Sequence, residues 1–248
     1  IAVKDAAGVI LWSWHIWVTD FDPDVTAQTY ISGAVMMDRN LGALRCTPGD
    51  PSVYGMFYQW GRKDPLLGTY DRDNFISTCP VDVKKYTDSG EMQSIEYTIQ
   101  NPTEVPYLVN PAGSWSWNKT IYDPCPVGWR VPDGAPGVWE GIDSHVYKDD
   151  GHYFEEPYST PAAFYPGTGY TTRTSYVGYV GEDVYSWSCT TAQNDAYPYT
   201  MYMYRGSSHD NTHSSSKEYE HTVRCMKIND SGETGSGDDY IVDDEYEW

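Results

Sequence analysis

Asp123-Pro-Cys-Pro-Val-Gly-Trp-Arg-Val-Pro-Asp133 and Thr222-Val-Arg-Cys-Met-Lys227 are the two stretches on which the reading of this fold turns. In the first, Pro132 biases the residues before it toward extended geometry and Asp133 is a favourable N-cap, so the word reads as an extended approach to a helix over residues 134–143. Pro136 and Gly137 would delay that helix to Val138 and Trp139. The second word reads as a short terminal strand. Between them lies a segment rich in Tyr and Ser.

Working outward, several further words keep a fixed order: Met37-Asp-Arg-Asn-Leu-Gly-Ala43, Tyr54-Gly-Met-Phe-Tyr-Gln-Trp-Gly-Arg-Lys-Asp-Pro65, Phe164-Tyr-Pro-Gly-Thr-Gly-Tyr170 and Tyr185-Ser-Trp-Ser-Cys-Thr190. Together with Cys125 to Pro132 and Val223 to Lys227 they resemble the Fibrobacter succinogenes major paralogous domain family over roughly residues 10 to 228. The resemblance implies a C-type-lectin-like α+β fold: mostly antiparallel strands, one or two short helices and long ordered loops. Relatives that open with a Trp-Ser-Trp-His-Ile-Trp word, here Trp12 to Trp17, occur on fimbria-like surface proteins. Cysteine connectivity does not follow from the residues themselves. Family position implies Cys125 with Cys225; Cys46 with Cys79 is a further expected pair, which leaves Cys189 over, either as a buried thiol or as an intermolecular link. Disulfides fit an oxidising setting, at the cell surface or outside the cell.

The 248 residues carry 36 acidic and 16 basic side chains, a formal net charge of −20, which repels a phosphate backbone and anionic lipid and argues against nucleic-acid partners. No window is long and apolar enough for a spanning helix. The start at Ile1, without Met or a signal pattern, reads as a mature product or a fragment of a longer chain. Leu is scarce beside 23 Tyr, 10 Trp, 22 Gly and 16 Pro, so strands and ordered loops should dominate, with a core whose Tyr and Trp polar ends find partners.

Val9 to Val18 reads as a buried strand, Met36 to Asp38 as a short strand, and Tyr54 to Gly61 as a helical turn or two burying Phe57 and Trp60. One domain over residues 1–229 is expected, with an insertion or long ordered loop at about 69–111, followed by an acidic flexible tail over 230–248.

Between Asn194 and His221 the chain offers five Tyr, five Ser and three His, the makeup of antibody-type binding surfaces. Alternation puts Met201 and Met203 on one strand face and Tyr202 and Tyr204 on the other, followed by a loop from Arg205 to His213. The expected ligand surface is Tyr202, Tyr204, Arg205, His209, Asn211, His213 and Tyr219; the alternative is ordinary strand positions with a solvated loop. His209 and His213 would share a helix face for a metal, but the surrounding Ser, Asn and Gly oppose a helix, so no metal and no other cofactor is expected. The Glu-Pro-Asn, Gln-Pro-Asp and Trp-Asn-Asp words of calcium-dependent lectins do not occur, nor do the nucleophile, zinc or phosphate-loop words of enzymes. Of the formylglycine-generating enzymes, which share the broad fold, the paired active-site Cys is not recognisable. The function expected is therefore a non-enzymatic adhesin or ligand-binding module at the tip of a fimbria-like or other surface protein, taking a host or environmental glycan or protein receptor without calcium. The rivals are the receptor-binding tip of a phage and a structural subunit or cap that meets other filament subunits.

Overall fold

In the computed structural model residues 1–49, 51–66, 85–86, 91–108, 114–172, 176–192, 197–206 and 209–229 are described. Val184–Thr191 is the strand on which the rest is built, and its first six residues are all buried. It pairs antiparallel with Pro198–Met203, placing Val184 opposite Met203 and Ser186 opposite Met201, and Pro198–Met203 pairs in turn with His209–Ser214. On its other side Ser186 meets Thr222 of Glu220–Thr222 in a parallel step. Glu220–Thr222 also takes Tyr170–Thr171 and Phe57–Gln59, and Val177–Gly178 completes a seven-stranded sheet.

A second sheet runs Trp129–Arg130, Met226–Lys227, Val35–Met36, Gln28–Tyr30, Ser159–Thr160, with every neighbouring pair antiparallel. Val146–Lys148, Gly151–Phe154 and Ala163–Pro166 form a third. Ala2–Lys4 and Ile10–Ser13 form an N-terminal hairpin. Two α-helices are described, Pro23–Thr26 capped by Asp22 and Ile95–Gln100 capped by Ser94. Mostly antiparallel strands with few short helices is thus the architecture, as the Tyr-rich, Leu-poor composition requires.

Alternation along Val184–Thr191 divides the core in two. Val184, Met201 and Met203 pack with Tyr30, Met36, Trp139, Phe154 and Tyr165 on one face. Trp187 and Cys189 pack with Trp60, Trp115, Trp129, Val131 and the Cys125–Cys225 pair on the other. The aromatic side chains largely satisfy their polar ends: the indole N–H of Trp187 donates to Tyr58 O at 2.7 Å, that of Trp60 to Ser188 O at 2.8 Å, and the Tyr30 and Tyr165 hydroxyls meet at 2.7 Å. The Trp139 indole N–H is buried without a partner.

The two words quoted first lie side by side. Trp129 faces Lys227, Arg130 faces Met226, and a disulfide joins Cys125 to Cys225 with Cα atoms 6.0 Å apart across 100 residues. Between Val223 and Cys225, Arg224 is fully buried. Its guanidinium donates to Phe164 O at 2.6 Å and Asn40 Oδ1 at 3.3 Å and lies 3.7 Å from the Tyr165 ring centre. Cys46 is a free thiol, so the expected second bridge is not formed; Cys79 lies outside the described residues. Cys189 is free and buried, and burial beside Asp133 pushes its thiol up to about 12, which leaves it inert.

Three local expectations are corrected. No helix follows Asp133: its carboxylate is taken by Arg130 at 2.8 and 2.6 Å, and residues 134–141 turn tightly instead. Gly137 has φ 53°, and a Cβ there would come within 2.3 Å of the Asp133 carbonyl, so the chain doubles back where a helix would have to extend. Phe57 and Trp60 are buried as expected, but Phe57–Gln59 is a strand rather than a helical turn. The Val9–Val18 stretch is not a buried strand. Only Ile10–Ser13 is extended within a sheet, and Leu11, Trp14, Ile16 and Val18 are exposed; among the described residues that sheet has two strands. Within the expected insertion, residues 91–108 contain the Ile95–Gln100 helix, packed against Ile10–Ser13. The expected acidic tail, 230–248, lies outside the described residues.

Closing a 100-residue loop removes on the order of 5 kcal/mol of unfolded-chain entropy in the simplest model. The double variant Cys125→Ser, Cys225→Ser is expected to lose about 3–5 kcal/mol in urea denaturation. A loss under about 1 kcal/mol would show that the frame does not depend on the bridge.

Candidate functional site

One face of the seven-stranded sheet is a continuous array of aromatic rings. Tyr185 stacks on Tyr202 at 4.7 Å and on His221 at 5.0 Å, and His221 lies 4.1 Å from Trp187. Tyr202 continues to Tyr204 at 6.0 Å and to His213 at 4.9 Å. Tyr170 touches Tyr185 at 5.0 Å and stacks on Tyr219 at 5.4 Å and Tyr179 at 6.1 Å, with Tyr176 at 6.2 Å. The period-2 rule produces this: side chains from Tyr170–Thr171, Glu220–Thr222, Val184–Thr191, Pro198–Met203 and His209–Ser214 point to one side and meet across strands. Exposure rises outward, from His221 at 0% and Tyr185 at 8% to Tyr204 at 40%, Tyr179 at 49% and Tyr176 at 55%.

Tyr179 holds φ 60°, a left-handed conformation that costs a bulky residue roughly 1–2 kcal/mol. Its carbonyl accepts the backbone N–H groups of Glu182 and Asp183, both at 3.0 Å. Asp183 is buried beneath the rim. It accepts the Tyr202 hydroxyl at 3.3 Å and the Arg205 backbone N–H at 3.3 Å, and burial, aided by Glu182, pushes its carboxyl up to about 6 against those hydrogen bonds. Arg205 reaches Glu182 at 3.5 Å on the exposed side.

Three imidazoles cluster away from this face: His209 of His209–Ser214, His152 of Gly151–Phe154 and His145, with the ring centre of His145 4.6 Å from His152 and 5.7 Å from His209. Their Nε2 atoms lie 3.1 Å from Gly206 O, 2.7 Å from Glu182 O and 2.8 Å from Ile142 O respectively. Since a carbonyl only accepts, each Nε2 carries the proton. Two of these bonds pin the backbone of the segments that bear Asp183 and Tyr204. Among the described residues no group of three or more His, Cys, Asp or Glu side chains is arranged to hold a metal ion.

Of the residues expected at the ligand surface, the structure gathers Tyr202, Tyr204, Arg205, His213 and Tyr219 on or beside the aromatic face. It separates two. His209 points to the core side, donating to Ile142 O and lying 6.4 Å from Phe154, and Asn211 donates to Trp139 O at 3.3 Å. The reason is that His209–Ser214 is a strand and not a loop, so alternate side chains turn inward. A register shift in this pairing leaves His213 beside Tyr202 and Asp210 within 3.8 Å of His213. Sequence reading missed Tyr170, Tyr176, Tyr179, Tyr185, His221 and Asp183. Period-2 spacing places Tyr185 on the face of Trp187 and was the signal available for it; the contribution of Tyr170 and Tyr179 needed long-range pairing that no local pattern carries.

Comparison with family models, with curated proteins and with solved structures finds no match for this chain.

Burial lowers His152 to about 4 and His221 to about 3 from 6.5. Groups held below their unfolded value bind fewer protons when folded, so their contribution is intact above 6.5 and is lost as pH falls toward those values. Asp183 works the other way, adding stability below 3.8 that is lost as pH rises through about 6, but it is one group against two. The melting temperature is expected to drop on acidification below 6.5, and His221→Phe, which keeps the ring stack, to recover on the order of 3 kcal/mol at about pH 4. An acid limb unchanged by His221→Phe would contradict the neutral, buried assignment.

Proposed function

We propose that this chain is a non-enzymatic recognition module of the C-type-lectin-like class, displayed at a cell surface or outside the cell, whose aromatic face takes a glycan or protein ligand without calcium. The observation that carries the reading is the ring array itself: a strand-borne base of buried Tyr185 and His221 and half-buried Tyr202, with an exposed rim of Tyr176, Tyr179 and Tyr204. Tyr offers contact area with few rotatable bonds, and a rim fixed by stacked neighbours loses little entropy on binding. A strained, exposed Tyr179 fits a residue kept for contact rather than for stability. The ordered words likened to the Fibrobacter succinogenes family supply the lectin-like class and the fimbria-like setting. The disulfide accords with an extracellular place.

A filament-subunit role is favoured by a different observation. The N-terminal hairpin is a two-stranded sheet with Ile1, Val3, Leu11, Ile16 and Val18 exposed around it, the kind of open edge that pairs with another chain.

Glycan and host-protein arrays with the native chain and with Tyr179→Gly plus Tyr204→Ala test the first reading. Binding is expected to weaken about tenfold or more while the melting temperature holds or rises, since glycine relieves the left-handed strain. Undiminished binding by the variant would remove the face from recognition. Self-assembly of the purified chain, seen by mass measurement, would favour the filament role instead.

A further inference from the structure

Away from the tyrosine face, a cleft of about 510 Å³ lies between the N-terminal hairpin and the loop that leads to Cys125. Its walls include Trp12, Trp14 and Trp17, with His15, Tyr58 and Ile121. The volume is that of a small-molecule site. Two of the indoles are held by neighbouring side chains. Lys63 Nζ lies 4.5 Å from the Trp12 ring centre, and Phe21 packs on Trp17 at 5.6 Å. Trp14 is 48% exposed, and its backbone is tied to Ile1 by hydrogen bonds of 2.8 and 3.1 Å.

The charges in the cleft are already spent internally. Lys63 donates to both Asp64 carboxylate oxygens, to Ser13 Oγ and to Ser13 O, all within 2.8 Å. Asp64 also accepts the Ser13 hydroxyl at 2.8 Å. Asp123 accepts from Lys119 and from the backbone of Cys125 and Val131, at 2.9, 2.8 and 2.9 Å. A charged ligand would have to break one of these sets, and the net charge of −20 disfavours an anion in any case. What remains on offer is indole surface and the exposed His15 imidazole. Partial desolvation by the cleft walls holds His15 below its usual range, against the pull of Asp64, so at neutral pH it presents one donor and one acceptor.

Flat apolar walls with a neutral donor–acceptor pair match a molecule that has one apolar face and a rim of hydroxyls. We propose that the cleft walled by Trp12, Trp14 and Trp17 binds a neutral saccharide ring, stacked on indole and hydrogen-bonded to His15, as a second recognition site separate from the tyrosine face. An adhesive module would then grip its target at two points, gaining avidity from the pair.

Tryptophan fluorescence of the full chain, titrated with a panel of neutral oligosaccharides and with sialylated and sulfated ones, tests this. A saturable change with at least one neutral sugar is expected, weakened about tenfold in Trp14→Ala, whose exposed side chain can be removed without unfolding the protein. Trp14→Phe should restore part of the affinity, and Tyr179→Gly plus Tyr204→Ala should leave it unchanged, which separates this site from the tyrosine face. No response to any neutral sugar at millimolar concentration, a preference for the charged sugars, or Trp14→Ala binding with native affinity would each overturn the proposal.

Discussion

The segment Glu220–Lys227 is the constraint on which this molecule depends. Within eight residues it gives three side chains to the central sheet, a buried guanidinium to the space between sheets, a sulfur to the disulfide and a closing strand to the second sheet. Each of these would be costly alone. A buried cation needs its acceptors in place, a bridge over 100 residues needs its partners 6.0 Å apart, and a three-residue strand has little pairing of its own. They are met together, apart from Arg224 Nη1, which is buried without a partner, because every element that the segment touches comes from a different part of the chain, so the same eight residues close the fold from all sides.

The aromatic composition follows from that geometry. Strands of two to four residues bury little surface each, and Tyr and Trp compensate by filling more volume per residue while sending a hydroxyl or N–H to a nearby carbonyl. On the outer face of Val184–Thr191 the same residue type does a second job. Tyr185 and His221 are core, Tyr202 is half-buried, and Tyr204 and Tyr179 are surface, so the core grades into the proposed contact face without a boundary. The histidines behind it hold the rim segments by donating Nε2–H to the backbone carbonyls of Gly206 and Glu182.

Much of the architecture was legible where local chemistry and burial agree. Alternation from Tyr197 to Tyr204 sorted Met201 and Met203 from Tyr202 and Tyr204 correctly, and the resemblance carried by the two Cys words anticipated the Cys125–Cys225 link. The failures have physical causes. Asp133 is a competent N-cap, but Arg130 occupies its carboxylate and Gly137 turns the chain back. His209 and Asn211 read as loop residues from their Ser- and Gly-rich setting, yet pairing with Pro198–Met203 overrides local propensity. The tryptophans of residues 12–17 read as core by hydrophobicity alone, whereas among the described residues their sheet has two strands and they form a cleft wall.

Native-state hydrogen exchange on the ligand-free chain measures the central claim directly, because it reports whether the frame around Glu220–Lys227 holds the tyrosine face as one rigid unit. Amides of Val184–Thr191, Pro198–Met203 and Glu220–Thr222 should exchange slowest and together, only through global opening, while Ala2–Lys4 and Ile10–Ser13 exchange early. Exchange in Pro198–Met203 as fast as in the hairpin would mean that the face is not held by the frame, and the account would fail.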